Sequence, residues 1–156
     1  MSIAVLDVDG VVADARHRMG YLQRQPKDWP GFFRAAASDP ACERGVALAA
    51  ELAAAHDIVW LTGRPEWLRA LTREWLDRLE LPSRELRMRP RHDHRPAPAF
   101  KLGVLRELAP RHIATFVDDD REVVRAARAA GHPAVLADWL PRAPALRNAQ
   151  DHLGRT

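Results

Sequence analysis

The sequence predicts an α/β protein with a central parallel β-sheet covered by helices on both faces. Two patterns carry that expectation. Short apolar runs alternate with stretches of helical spacing along the chain, the signature of strand–helix–strand units. Three of those runs also end in polar clusters, Asp7-Val8-Asp9-Gly10, Thr62-Gly63-Arg64-Pro65 and Asp118-Asp119-Asp120. In an open parallel sheet the carboxyl ends of the strands are where ligands bind.

The first strand is expected over Ile3–Val8, an apolar run closed by the turn signal Asp9-Gly10. Residues 11–39 are less regular, broken by Pro26, Pro30 and Gly31, with short helices expected around Arg16–Gln23 and Trp29–Ala37. Val46, Leu48, Ala49 and Leu52 recur at helical spacing within an expected helix over Ala41–His56. Asp57–Leu61 reads as a second buried strand, turning at Thr62-Gly63-Arg64 into a helix with Pro65 in its first turn. Trp67, Leu68, Leu71, Trp75, Leu76 and Leu79 mark that helix's apolar face to about Glu80. Glu85–Met88 is a weak third strand, followed by a Pro- and His-rich loop to Pro98. Phe100–Leu108 then reads as a helix, Ile113–Val117 as a strand, Arg121–Ala130 as a helix stopped by Gly131, and Ala134–Ala137 as a fifth strand. From Pro141 the tail has no clear period and is expected to fray.

The 156 residues make one domain of ordinary size, 47% hydrophobic and 29% charged, too apolar for a disordered chain. One cysteine, Cys42, excludes an internal disulfide framework and a Cys-rich zinc module and fits a reducing compartment. No apolar run approaches the roughly 20 residues of a membrane span, and strand-like residues begin at Ser2, so a soluble, cytoplasmic protein without a signal peptide is expected. The net charge of +3 rests almost wholly on arginine, Lys27 and Lys101 being the two lysines. Arg84, Arg87, Arg89, Arg91 and Arg95 cluster with His92 and His94. That stretch suits either a solvated surface turn or contact with an anionic partner, since Arg forks match phosphate oxygens.

Each polar cluster has two readings. Alternation along a strand puts Asp7 and Asp9 on one side, a like-charge pair that a divalent cation would relieve; a turn with Asp side chains bonded to the backbone fits equally. Asp118 and Asp119 suit hard-cation ligation, or with Asp120 a helix N-cap, which accounts for Asp120 in either case. Thr62-Gly63-Arg64 offers an anion cradle or an ordinary turn. Lys101 is a counter-charge or a solvated helix lysine. Taken together, two acidic strand ends, a hydroxyl–Arg turn and a lysine are the set a phosphoryl group and its cation need.

In that order Asp7-Val8-Asp9-Gly10-Val11-Val12, Leu61-Thr62-Gly63-Arg64, Lys101 and Phe116-Val117-Asp118-Asp119 resemble the four motifs of the haloacid dehalogenase (HAD) superfamily of aspartate-nucleophile phosphatases. The likeness spans residues 3 to about 137. A narrower resemblance is to the 3′-phosphatase domain of bacteriophage-type polynucleotide kinase/phosphatase, carried by Arg64, by Arg95…Lys101 and by Val123-Val124…Arg128…Gly131. Asp120 stands where that family usually has Arg. No Gly-x4-Gly-Lys-Ser/Thr loop is present, so these residues are not the kinase half.

The resemblance implies a Rossmann-like three-layer sandwich in a single domain, with residues at about 14–40 forming a small helical cap. It implies Asp7 as nucleophile, Asp9 as general acid and base, and Thr62 and Lys101 as phosphate-binding catalytic groups. Mg²⁺ would be held by Asp7, the main-chain carbonyl of Asp9, and one or both of Asp118 and Asp119. Arg64, Arg95 and Gly63, with Arg16 and Arg18 of the cap, would contact substrate; Trp29, with Phe32 or Phe33, would form the cap's core, or Trp29 would touch substrate too. The function implied is removal of 3′-phosphate from nucleic-acid ends in repair, with a separate kinase or ligase partner. A small-molecule phosphatase such as a nucleotidase, and a catalytically silent nucleic-acid-binding module, are the alternatives.

Overall fold

Apolar runs at the expected places become the strands β1 (Ile3–Leu6), β2 (Asp57–Pro65), β3 (Glu85–Arg89), β4 (Ile113–Asp118) and β5 (Ala134–Leu136) of a computed structural model. It describes residues 1–141; the expected tail beyond Pro141 lies outside the described residues. Every neighbouring pair is parallel, in the order β3-β2-β1-β4-β5. The order reverses between β1 and β4, so a crevice opens at their carboxyl ends, the switch point at which open α/β sheets bind ligands.

Strand alternation splits the core into two layers. Leu6, Trp60, Leu86 and Val117 face one side, with Ala49 of α3 (Glu43–Ala53) and Trp75 and Leu76 of α4 (Arg69–Arg78). Val5, Val59, Leu61 and Phe116 face the other, with Phe100, Leu105 and Leu108 of α5 (Ala97–Leu108) and Val123, Val124 and Ala127 of α6 (Arg121–Ala129). Since both faces are covered, the strands carry near-continuous apolar runs rather than alternating polar residues. Among the described residues no helix is long and apolar enough to cross a membrane.

Element ends at the edge that carries the polar clusters differ from expectation. β1 stops at Leu6 because the N–H groups of Val11, Val12 and Ala13 all turn back onto the Val8 carbonyl. Gly10 closes this loop at φ +80°, and a Cβ there would lie 2.0 Å from Asp119 Oδ2, so only glycine fits. β2 runs on through Thr62-Gly63-Arg64 to Pro65 instead of turning at Leu61, its pairing with β3 shifting between Leu61 and Pro65. Pro65 is extended (ψ 148°), ahead of a 3₁₀ turn over Glu66–Leu68, and α4 starts only at Arg69.

The excursion over residues 14–40 leaves and returns through an antiparallel bridge between Ala13 and Ala41, beside Asp14 N–H donating to the Pro40 carbonyl at 2.9 Å. It holds a 3₁₀ turn at Arg16–Arg18, α1 (Gly20–Gln23), α2 (Trp29–Arg34) and a 3₁₀ turn at Ala35–Ser38. Asp28 caps α2 by accepting from Gly31 N–H, with Pro30 in the first turn. Leu22, Phe32 and Phe33 belong to the same buried cluster as the sheet face rather than to a core of their own.

The Arg84–Arg95 stretch is not uniformly solvated. Arg89 is buried, lies 4.7 Å over the Phe100 ring, and donates to the carbonyls of Asp93 and Arg95. One cation of the stretch therefore folds its own loop, while Arg91 and His94 remain exposed.

Candidate active site

The switch point brings together Asp7, Asp118, Asp119 and Lys101. Asp7 follows β1 directly, its N–H still bonded to Val117 of β4 at 2.9 Å. Asp118 ends β4, and Lys101 comes from α5 on the second face. All four side chains are almost fully buried. One carboxylate oxygen each from Asp7, Asp118 and Asp119 lies within 4.8 Å of the others, a compact set of hard oxygen donors of the kind that holds divalent cations.

Lys101 Nζ sits 2.6 Å from Asp118 Oδ2 and 3.0 Å from Asp7 Oδ2. One ammonium therefore serves two carboxylates, with a third beside them. Asp7 Oδ1 accepts from Val8 N–H at 2.8 Å, but Oδ2 accepts no hydrogen bond and touches only this charge. Burial, opposed by Lys101 and reinforced by Asp118 and Asp9, pushes the Asp7 carboxyl up to about 7. Burial also lifts Asp118, whereas Lys101, drawn on by Asp118 and Asp7 against its own desolvation, is raised further into its charged range. Asp118 Oδ1 accepts from Asp120 N–H at 2.9 Å, and Asp120 accepts from Glu122 and Val123 N–H groups as the N-cap of α6. The triple acid run thus divides its labour: two residues in the cluster and one on the helix.

Asp9 belongs to a second cluster. Its carboxylate takes Arg64 Nη2 at 2.8 Å, Arg64 Nε at 3.1 Å and Arg18 Nη2 at 2.8 Å. Asp39, which the sequence reading passed over, completes it: Arg18 Nε and Nη2 donate at 2.7 and 2.8 Å, Arg64 Nη2 at 3.0 Å, and His17 Nε2 lies at 2.6 Å. Two buried guanidiniums thus face two buried carboxylates. Burial alone would raise the Asp9 carboxyl, but Arg64 and Arg18 outweigh it and hold Asp9 well below the usual carboxylate range. Thr72 of α4 accepts from Arg64 Nη1 at 3.1 Å, and the Trp75 indole donates to the Asp39 carbonyl at 2.9 Å. The 14–40 segment, β2 and α4 are therefore fastened to one another through Asp9.

Several of the expected site residues stand outside the three-carboxylate set. Arg64 and Arg18, expected to stand ready for substrate, are 0% and 1% exposed and fully engaged by Asp9 and Asp39; paired burial stabilises a guanidinium that would be costly to bury alone. Arg16 and Arg95 join neither cluster, because each is bonded by the carboxylate two residues before it, Asp14 and Asp93. The Asp9 carboxylate is bonded by the arginines and is not one of the three carboxylates of the compact set. Thr62 and Gly63 lie at the carboxyl end of β2 beside β1, Thr62 Oγ1 accepting from Arg64 N–H and the Gly63 carbonyl accepting from Arg89. No pattern singled out Asp39 between Ser38 and Pro40; the signal available was the need for carboxylates once two arginines are buried.

Comparison with known proteins agrees with this geometry. Residues 1–136 match the family model described as the polynucleotide kinase PNKP phosphatase domain. No curated protein matches. Among solved structures the chain is similar to one from the Pnkp1/Rnl/Hen1 RNA repair complex, with TM-score 0.73 and 20% identity over 87% of this chain and 42% of that one. It also resembles the class C acid phosphatase of Bacillus anthracis, with TM-score 0.65 and 16% identity over 86% of this chain and 65% of that one. A haloacid dehalogenase-like hydrolase of Streptococcus pneumoniae follows at TM-score 0.61 and 13% identity, over 97% of this chain and 92% of that one. The chain spans less than half the length of the repair-complex chain, and at these identities the likeness establishes the fold.

Proposed function

Because the chain belongs to the PNKP phosphatase domain family, whose members are HAD-type phosphoric monoester hydrolases, we propose that it removes 3′-phosphate from nucleic-acid ends with Asp7 as nucleophile. The observation that carries this reading is the buried set of Asp7, Asp118, Asp119 and Lys101, in which carboxylates outnumber the cation bonded to them. The all-oxygen set, the Asp7 oxygen without a hydrogen bond and the glycine that clears space beside Asp119 fit Mg²⁺. Asp7, Asp118 and Asp119 would hold the ion with the main-chain carbonyl of Asp9. Bound there, it would neutralise excess carboxylate charge and phosphoryl oxygen charge.

An Asp7 oxygen attacks phosphorus, the bond from phosphorus to the ribose 3′-oxygen breaks, and an aspartyl-phosphate forms. Asp9 gives the leaving oxygen its proton, then takes one from the water that attacks the acyl phosphate, releasing inorganic phosphate and free Asp7. Lys101 favours the ionised form of Asp7 against its burial and balances the transferring group, and Thr62 donates its hydroxyl to a phosphoryl oxygen. Arg18 and Arg64 keep Asp9 charged before substrate arrives. An incoming phosphate dianion opposes their field and pushes Asp9 back toward protonation, as its acid role requires. The segment 14–40 acts as a small cap that brings Arg18 and Asp39 to Asp9.

A kinase or ligase acting on the same ends would be a separate unit, a reading supported by the assembly in which the repair-complex neighbour is found. The test is phosphate release from 3′-phosphorylated oligonucleotides. Turnover should require Mg²⁺ and vanish in Asp7→Asn. Rapid hydrolysis of mononucleotides or sugar phosphates with no release from oligonucleotide ends would replace the polymer substrate with a small metabolite.

A further inference from the structure

Beyond the carboxyl ends of β2 and β3 lies a groove of about 650 Å³, whose lining includes Phe33, Trp67, Arg91 and His94 together with the acids Glu66 and Asp93. None of these residues belongs to the two acidic clusters. Trp67 is 55% exposed, an unusual position for so large an apolar side chain in a fold whose other described tryptophans are less exposed. It does not project at random. Its ring meets Phe33 edge-to-face at 5.9 Å and 87°, and Phe33 in turn stacks on Trp29 at 5.9 Å. Backed by buried Phe33 and half-buried Trp29 and carried on the turn over Glu66–Leu68, Trp67 presents an exposed aromatic surface.

The charge around it is one-sided once local pairs are removed. Glu66 is bonded to Arg69, and Asp93 to Arg95. Arg89 is occupied with its own loop. That leaves Arg91 exposed and paired with no described carboxylate, beside exposed His94. An aromatic face next to an uncommitted guanidinium is the combination that grips single-stranded nucleic acid, base on ring and phosphate on cation. The groove is also well placed. It lies beyond the ends of β2 and β3, the strands next in order from β1, on the same edge of the sheet as Asp7.

We propose that this groove binds the nucleotide next to the phosphorylated 3′ end, its base stacked on Trp67 and its 5′-phosphate on Arg91, so that the enzyme takes single-stranded ends. The proposal rests on the reading above that the substrate is a nucleic-acid end. It adds what that reading lacks, a feature that separates a polymer from a mononucleotide.

Two measurements test it. The first is equilibrium binding of a six-nucleotide, unphosphorylated single strand carrying a fluorescent label, read by fluorescence anisotropy, for wild type, Trp67→Ala, Trp67→Phe and Arg91→Ala. The expected result is about ten- to a hundred-fold weaker binding in Trp67→Ala, with most of it restored in Trp67→Phe. Arg91→Ala should lower the salt dependence by roughly one counterion. The second is the ratio of kcat/KM for the 3′-phosphorylated six-mer to that for p-nitrophenyl phosphate, expected to fall by the same factor in Trp67→Ala. Equal affinities and equal ratios in wild type and Trp67→Ala would overturn the groove as a nucleotide site, as would capture of a protein on the same face with no binding of the oligonucleotide. Trp67-dependent binding without release of phosphate from any 3′ end would instead overturn the phosphatase reading and leave the groove standing.

Discussion

Asp39 offers the sharpest test of how the 14–40 segment is joined to the site. Its carboxylate, 6% exposed, receives three guanidinium hydrogen bonds at 2.7–3.0 Å and lies 2.6 Å from His17. Asp39→Asn keeps the shape but replaces one accepting oxygen with an NH₂ that points donors at donors, and it leaves two buried guanidiniums to Asp9 alone. Removing one partner from a buried ion pair costs about 3–5 kcal/mol. For a domain of this length each kcal/mol lowers Tm by about 2–4 °C, so a fall on the order of 10 °C is expected by calorimetry or circular dichroism. The loss should be non-additive with Arg18→Gln, with a coupling of about 1–3 kcal/mol in a double-mutant cycle. Phosphatase kcat should drop about ten-fold, since Arg64 shares one of its nitrogens between Asp39 and Asp9. A variant that melted within 2 °C of wild type and turned over normally would show that the network is an incidental contact and that the segment is held by its apolar residues alone.

Lys101→Met leaves Asp7 and Asp118 buried without their ammonium; Tm without metal should fall by a similar amount, and turnover should drop at least a hundred-fold, as loss of a preorganised charge costs about 3–4 kcal/mol in the transition state. Gly10→Ala, with its Cβ on Asp119 Oδ2 and φ at +80°, should destabilise by at least about 1 kcal/mol and weaken Mg²⁺ binding measured by calorimetry. Stability should also depend on pH through Asp7. Its carboxyl is pushed from 3.8 to about 7 in the folded chain, so the folded state holds the proton more tightly. Stability without metal should therefore fall as pH rises from about 4 to 7, by up to about 4 kcal/mol from this group. Asp9, held low, acts oppositely, its contribution being lost only on acidification below about pH 4. Mg²⁺ should accordingly raise Tm more at pH 7.5 than at pH 5.5, since Asp7 must lose its proton to bind it; an equal shift at both would remove Asp7 from the ion's ligands.

The strands and the clustered carboxylates were legible in the sequence because each is fixed by a local rule. Ile3–Leu6 can be buried on both faces only as a strand, and the acids that follow must then stand at its carboxyl end. Asp120 was legible as an N-cap for the same reason. The fates of the arginines were not. Whether Arg64 faces solvent or Asp9 depends on Asp39, 25 residues away along the chain and delivered by a bridge between Ala13 and Ala41. Nothing periodic marks such a contact. The same holds for Arg89, which no spacing distinguishes from Arg91, yet one is buried over Phe100 and the other exposed. The end of β2 was misplaced for a related reason: Pro65 suits a first helical turn as well as an extended strand end, and here the pairing of Pro65 with Arg89 keeps it extended.

The two acidic clusters answer the same physical problem in opposite ways, and the difference assigns them their roles. Burying a carboxylate is costly unless its charge is met. Around Asp9 and Asp39 the protein meets it fully, with two guanidiniums for two carboxylates, and the geometry stands by itself. Around Asp7 it stops short: Lys101 is shared, and one Asp7 oxygen accepts no hydrogen bond. A fold under selection for stability alone would have replaced or paired these acids, because neighbouring positions of the same sheet are filled by Val, Leu and Phe. The deficit therefore belongs to what binds. Asp9, only two residues from Asp7, is held by the balanced cluster beside the unbalanced one; in the proposed mechanism the general acid–base group would therefore keep a fixed position next to a site whose charge changes as cation and phosphate come and go.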